Sequence, residues 1–125
     1  MKLESLANAL PDAHLIRLYR FTPGDAFNLK ELVRLLAAGE RQSVALQNEP
    51  WIEPVGGCCL LLQLGNRDQG IRQMEPLSFA CQLSPIGWEN VEGLLEPFCA
   101  SVAGGFQWLV QSRSGALLIS HTGKW

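Results

Sequence analysis

Histidine and tyrosine are scarce in this chain, at two copies and one, and its four cysteines, Cys58, Cys59, Cys81 and Cys99, include no C-x-x-C pair. The short spacing that lets two thiolates close on one metal is missing, so no metal site is expected. Basic residues are neither abundant nor clustered. Ten Lys and Arg stand against twelve Asp and Glu, for a net charge of −2, which argues against nucleic acid as a partner because that affinity comes from neutralising phosphates. It argues equally against a polybasic membrane anchor. The longest apolar run, Cys58-Cys59-Leu60-Leu61-Leu62, falls far short of the roughly 20 residues of a membrane span. Glu4 and Asn8 interrupt what would be the apolar stretch of a signal peptide, so a cytoplasmic location with reduced thiols is the default expectation. The pairs Gly56-Gly57 and Gly104-Gly105 lack the glycine spacings of phosphate-binding loops, and no cofactor is expected.

What remains is 125 residues, 47% of them hydrophobic and 18% charged, a length and composition suited to one α+β domain with its own core. Leu3, Leu6, Ala7 and Leu10 fall at helical spacing, predicting a short first helix stopped by Pro11. Residues 14–21 are rich in strand formers, although their apolar positions also fit a helical turn; they are read here as a strand. Thr22-Pro23-Gly24-Asp25 is turn chemistry. Asn28 with Glu31 three residues on has the form of a capping box, and Leu29, Leu32, Val33 and Leu36 give an apolar face before Gly39, predicting a helix over 28–39.

Residues 42–47 alternate as a half-buried strand does, and the two prolines of Asn48-Glu49-Pro50-Trp51-Ile52-Glu53-Pro54 make that segment a loop or an edge excursion. Residues 57–64 read as a buried strand that a polar connection over 65–70 turns into a hairpin with Ile71. A strand is expected over 77–83, with Leu77, Phe79, Cys81 and Leu83 on one face. A helix is predicted from Ser84-Pro85, with Trp88, Val91, Leu95 and Phe98 at helical intervals, kinked or ended by Pro97. Residues 106–120 form a terminal hairpin. The residue pattern shows no repeat. Short links between strands imply a mainly antiparallel sheet packed against two or three helices.

Three chemistries compete for the function. A cysteine-dependent enzyme would use Cys58 or Cys59 on the turn at Gly56-Gly57, with His14 or His121 as base; the opposing reading is a buried, inert thiol. Glu89, Glu92 and Glu96 share a helical flank, as paired carboxylates do in acid/base catalysis, or as any solvated helix face does. A binding module uses other features. Trp51 stands between Glu49 and Glu53 with Pro50 and Pro54 as stiffeners, the build of a preorganised contact loop, unless Trp51 folds back to plug the edge of the core. From Glu75 to Glu96 every charge is negative, which suits a basic partner.

In size, α+β order and acidic second half, on the segments Glu49-Pro50-Trp51-Ile52-Glu53 and Trp88-Glu89-Asn90-Val91-Glu92, the chain resembles the small immunity proteins that bacteria make against their own delivered toxins, including those of contact-dependent growth inhibition. The resemblance implies a cytoplasmic, non-enzymatic inhibitor that binds a cognate toxin domain, often a nuclease, and blocks its active site with acidic and aromatic side chains. Glu49, Trp51, Glu53, Trp88, Glu89 and Glu92 would form the contact surface. A second resemblance is to type III secretion chaperones, which are also small, acidic and α+β and usually homodimers. Those finish with a C-terminal helix, whereas this chain finishes at His121-Thr122-Gly123-Lys124-Trp125.

Overall fold

Residues expected to coil into a first helix pair as a strand instead. The computed structural model describes residues 1–10, 13–100 and 105–125, excepting the side chains of 7–10; Pro11, the expected stop of that helix, lies outside them. Strand β1 (Lys2–Leu10) runs antiparallel to β2 (Ala13–Tyr19), with Leu3 opposite Leu18 and Leu6 opposite Leu15. Leu3 enters the main core, while Leu6 packs with Leu15 and Leu118 on the other face of the sheet. That division is the two-residue period of a strand, and pairing has overridden the helical spacing.

Helix α1 (Pro23–Ala37) begins five residues before the expected Asn28. Thr22 is its N-cap: the Thr22 hydroxyl accepts from the Asp25 backbone N–H at 3.1 Å, and the Asp25 carboxylate accepts from the Thr22 N–H at 3.1 Å. Pro23 takes the first helical position, where its missing N–H costs nothing. Asn28 lies exposed inside the helix. The other end matches expectation. Gly39 adopts φ +76°, its N–H reaches the carbonyl of Leu36, and that of Glu40 reaches Leu35, the double bond of a Schellman motif.

The rest of the chain runs as β3 (Ser43–Ala45), a 3-10 turn (Leu46–Asn48), β4 (Glu53–Pro54), β5 (Cys59–Leu64), β6 (Gly70–Glu75), β7 (Ser78–Leu83), α2 (Pro85–Ala100), β8 (Phe106–Gln111) and β9 (Gly115–Ser120). The fold is α+β; the described residues form two α-helices and nine strands in two mixed sheets, ordered β4-β1-β2-β9-β8 and β3-β5-β7-β6. Short links do not forbid parallel neighbours here, because β2 pairs parallel with β9 and β5 parallel with β7. The expected hairpin of β5 with β6 does not form; β7 lies between them, and the hairpin is β6 with β7, turned at Pro76-Leu77. Leu77 is accordingly 49% exposed, while Phe79, Cys81 and Leu83 are buried. The terminal hairpin β8–β9 and the edge placement of β4 agree with the sequence.

The chain does contain a repeat, at the level of topology. Exchanging β1 with β6, β2 with β7, α1 with α2, β3 with β8 and β5 with β9 carries β1-β2-β9-β8 into β6-β7-β5-β3 and preserves each parallel and antiparallel pair except that of β1 with β4, which has no counterpart. The helices place identical or like residues at one constant spacing: Pro23 and Pro85, Asn28 and Asn90 are identical, and Thr22 and Ser84, Leu29 and Val91, Val33 and Leu95 are alike in kind. Each half gives one hairpin to each sheet, and one main core gathers residues from both sheets and both helices. The halves differ in one connection. The short turn between β8 and β9 corresponds to the long segment 46–58 between β3 and β5, which carries β4 and Trp51. No helix among the described residues is long and apolar enough to cross a membrane.

Candidate functional site

Helix α2 carries the acidic stretch, and its start is held by a distant carboxylate. Ser84 caps it, accepting from the Gly87 N–H at 3.1 Å. Position 87 has no side chain to complete a capping box, and Asp68 supplies the missing group: its Oδ1 accepts from the Ser84 N–H and from the Ser84 hydroxyl, each at 2.8 Å. The helix buries Trp88, Val91 and Leu95 and continues through Pro97 to Ala100. The residue four before Pro97, whose carbonyl loses a donor, is Gly93, and it is exposed.

Trp88 is fully buried, and its indole N–H donates to the Gln63 carbonyl at 2.9 Å. Its place in a contact surface is therefore corrected: it belongs to the core. Glu89 is exposed and Glu92 half-buried on the same helix. Glu96 bridges to Lys30 of α1 at 3.0 Å and, chiefly through that hydrogen bond, holds the Lys30 ammonium above its ordinary pKa. The residue missed by sequence reading is Ile86, 78% exposed in the first turn. The signal was its position out of phase with Trp88, Val91 and Leu95. Ile86, Glu89, Asn90, Gly93 and Leu94 line an open hollow of about 410 Å³.

On the other side of Asn90 lies a smaller hollow of about 250 Å³, walled by Asp68, Gln69, Val91, Leu109 and Gln111 among others. Nothing local in the sequence marks it, because Asp68 and α2 meet only through the tertiary fold.

The loop 49–53 is folded onto the body. Trp51 is half-buried against the main core, and its carbonyl accepts from the Met1 ammonium at 3.0 Å. Ile52 is buried, Glu49 half-buried, and exposed Glu53 stands 3.6 Å from Lys2. Of the two readings of Trp51, plugging the core edge is the one its packing matches. No hydrogen bond or ion pair among the described residues joins this loop to α2.

All four cysteines are free. Burial pushes the Cys58 thiol up to about 11 and the Cys81 thiol to about 12, and raises Cys99 as well. The His121 ring stacks on Phe21 with centroids 4.3 Å apart, and His14 meets Phe79 at 5.2 Å. No cluster of three or more His, Cys, Asp or Glu suited to a metal occurs among the described residues. No protein-family model, no curated protein and no solved structure matches this chain.

Proposed function

We propose that the chain is a non-enzymatic inhibitor of the immunity type, which acts in the cytoplasm by binding a basic surface of a cognate toxin domain through the outer face of α2. The observation that carries this reading is Ile86, 78% exposed in the first turn of α2 and bordering the same hollow as Glu89. An aliphatic anchor on a preformed helix loses little entropy on binding, and that economy marks contact hot spots. The acids of α2 supply charge complementarity, which steers encounter with a basic partner and suppresses wrong ones. Glu89 and Glu92 keep the role the resemblance implies for them, Ile86 takes the place of Trp88, and Glu49, Trp51 and Glu53 serve the fold.

The test begins with native co-purification from the source cell, with the genomic neighbours of the gene co-expressed. A stoichiometric partner whose toxicity the chain suppresses is expected. Ile86→Asp should then weaken that complex by about 30-fold or more, and Glu89→Lys with Glu92→Lys should slow association most strongly at low salt. No such partner, or one bound equally well by the Ile86 variant, would overturn the proposal.

A further inference from the structure

We infer that the hollow of about 250 Å³ beside the start of α2 is a ligand site for a primary ammonium group, carried by a molecule of roughly amino-acid size. Its volume lies just below the roughly 300 Å³ at which pockets for drug-sized ligands begin. Its walls are mixed: Val91 and Leu109 are apolar, Asn90 and Gln111 offer amides, and Asp68 is the one charged residue lining it among the described residues. Asp68 Oδ1 is occupied by Ser84, and no described residue donates to its Oδ2.

The internal repeat says what belongs there. Gly70 opens β6 as Lys2 opens β1, so Gln69 corresponds to Met1, and Asp68 does for Ser84 what Asp25 does for Thr22. In the first half the Asp25 carboxylate accepts a second bond, from the Met1 ammonium at 3.2 Å, and the Trp51 carbonyl receives the same ammonium at 3.0 Å. There the long segment 46–58 brings Trp51 over the helix start. In the second half Ser112-Arg113-Ser114 is all that joins β8 to β9, and the corresponding space is open. Gln69, an internal residue with a neutral side chain, brings no ammonium to it, and its backbone N–H is already spent on the Gln82 carbonyl at 2.9 Å. A helix start ordinarily prefers an anion. Here that preference is met by Asp68 itself, as it is by Asp25 in the first half, and the carboxylate then presents a negative face to the hollow. The ligand completes in the second half the carboxylate–ammonium pair that the chain makes for itself in the first. The two hollows adjoin at Asn90, but the assignment of this one does not depend on partner binding.

Backbone amide NMR of the full chain, titrated with leucinamide and with N-acetylleucinamide, tests the assignment. Leucinamide should shift the amides of Asp68, Gln69, Asn90 and Gln111 saturably. N-acetylleucinamide, of similar bulk but without the ammonium, should not. A Leu-Gly-Gly amide added in parallel separates a free small amine from a peptide N-terminus: shifts at these four amides with either compound support the site, and their absence with both overturns it. Asp68→Asn keeps an acceptor for Ser84 while removing the charge, and should weaken leucinamide by at least about tenfold. If that variant does not fold, raising salt on the unaltered protein should weaken binding several-fold. Equal binding of the acetylated compound, or binding indifferent to both Asp68→Asn and salt, would overturn the assignment.

Discussion

At the scale of single residues, burial makes the thiols a reporter of the folded state. Cys58 and Cys81 are held at about 11 and about 12 against an ordinary value of 9.0, with desolvation the leading cause. The reactive thiolate is thereby suppressed, so both should resist iodoacetamide in the native protein at pH 8 and react fully in denaturant, as peptide mass analysis would show. The same shifts fix a pH dependence. At pH 8 and below these thiols are largely protonated folded or unfolded and contribute little slope. As pH rises from 9 towards 12 the unfolded chain releases their protons while the fold retains them, so stability should fall across that window. Urea midpoints at pH 8 and pH 10.5 check it; an unchanged or higher midpoint at pH 10.5 contradicts the burial of these thiols. Their environment was legible from their neighbours, Leu60 to Leu62 for one and Phe79 for the other. Trp88 was legible too, since it keeps phase with Val91 and Leu95, but the glutamates beside it drew the contact reading. Asp68 was not legible: its partner Ser84 is distant in sequence, and a carboxylate in a polar connection resembles any other.

At the scale of elements, the start of α1 separates two capping assignments that the sequence allows. Thr22-Pro23-Gly24-Asp25 contains good turn formers, and the same residues make a good N-terminus, because a Thr cap with Pro at the first position and Asp at the third uses the chemistry that turns use. Asn28 with Glu31 offers a similar pattern one and a half turns later. The structure places the bonds at Thr22 and Asp25. Thr22→Ala should therefore cost about 1 kcal/mol of unfolding free energy, and Asn28→Ala, at an exposed position inside the helix, should leave stability unchanged or slightly raised. Urea unfolding of the two variants distinguishes the assignments, and the reverse order would restore the cap to Asn28. For β1 the periodicity of Leu3 and Leu6 suited a helix, and long-range pairing decided otherwise. Strands β5 and β7 are recognisable as strands from their residues, yet their neighbours are not, because a local reading joins consecutive segments while this fold joins one half to the other.

At the scale of the whole molecule, that exchange has an energetic consequence. The central pair of the first sheet, β2 with β9, joins the two halves, and so does the central pair of the second, β5 with β7. Neither half can open without exposing strands of the other in both sheets. The repeat is therefore not two modules in series, and the chain should unfold in one cooperative step, with tryptophan fluorescence and far-UV circular dichroism giving the same midpoint. Gly115 sits at the junction: a Cβ there would lie 2.9 Å from the His14 carbonyl oxygen in β2 and 2.9 Å from Ile71 Cγ2 in β6. The carbonyl belongs to backbone and cannot swing aside, so Gly115→Ala must push β2, β6 and β9 apart, at about 1–3 kcal/mol. Because the strain reaches strands of both halves, both probes should shift to the same lower midpoint. Gly93→Ala, where an added Cβ meets nothing within 4 Å on an exposed helix turn, is the control and should leave the midpoint equal or higher. Two separated transitions, in the unaltered protein or in the Gly115 variant, would mean that the halves are energetically independent in spite of their shared sheets.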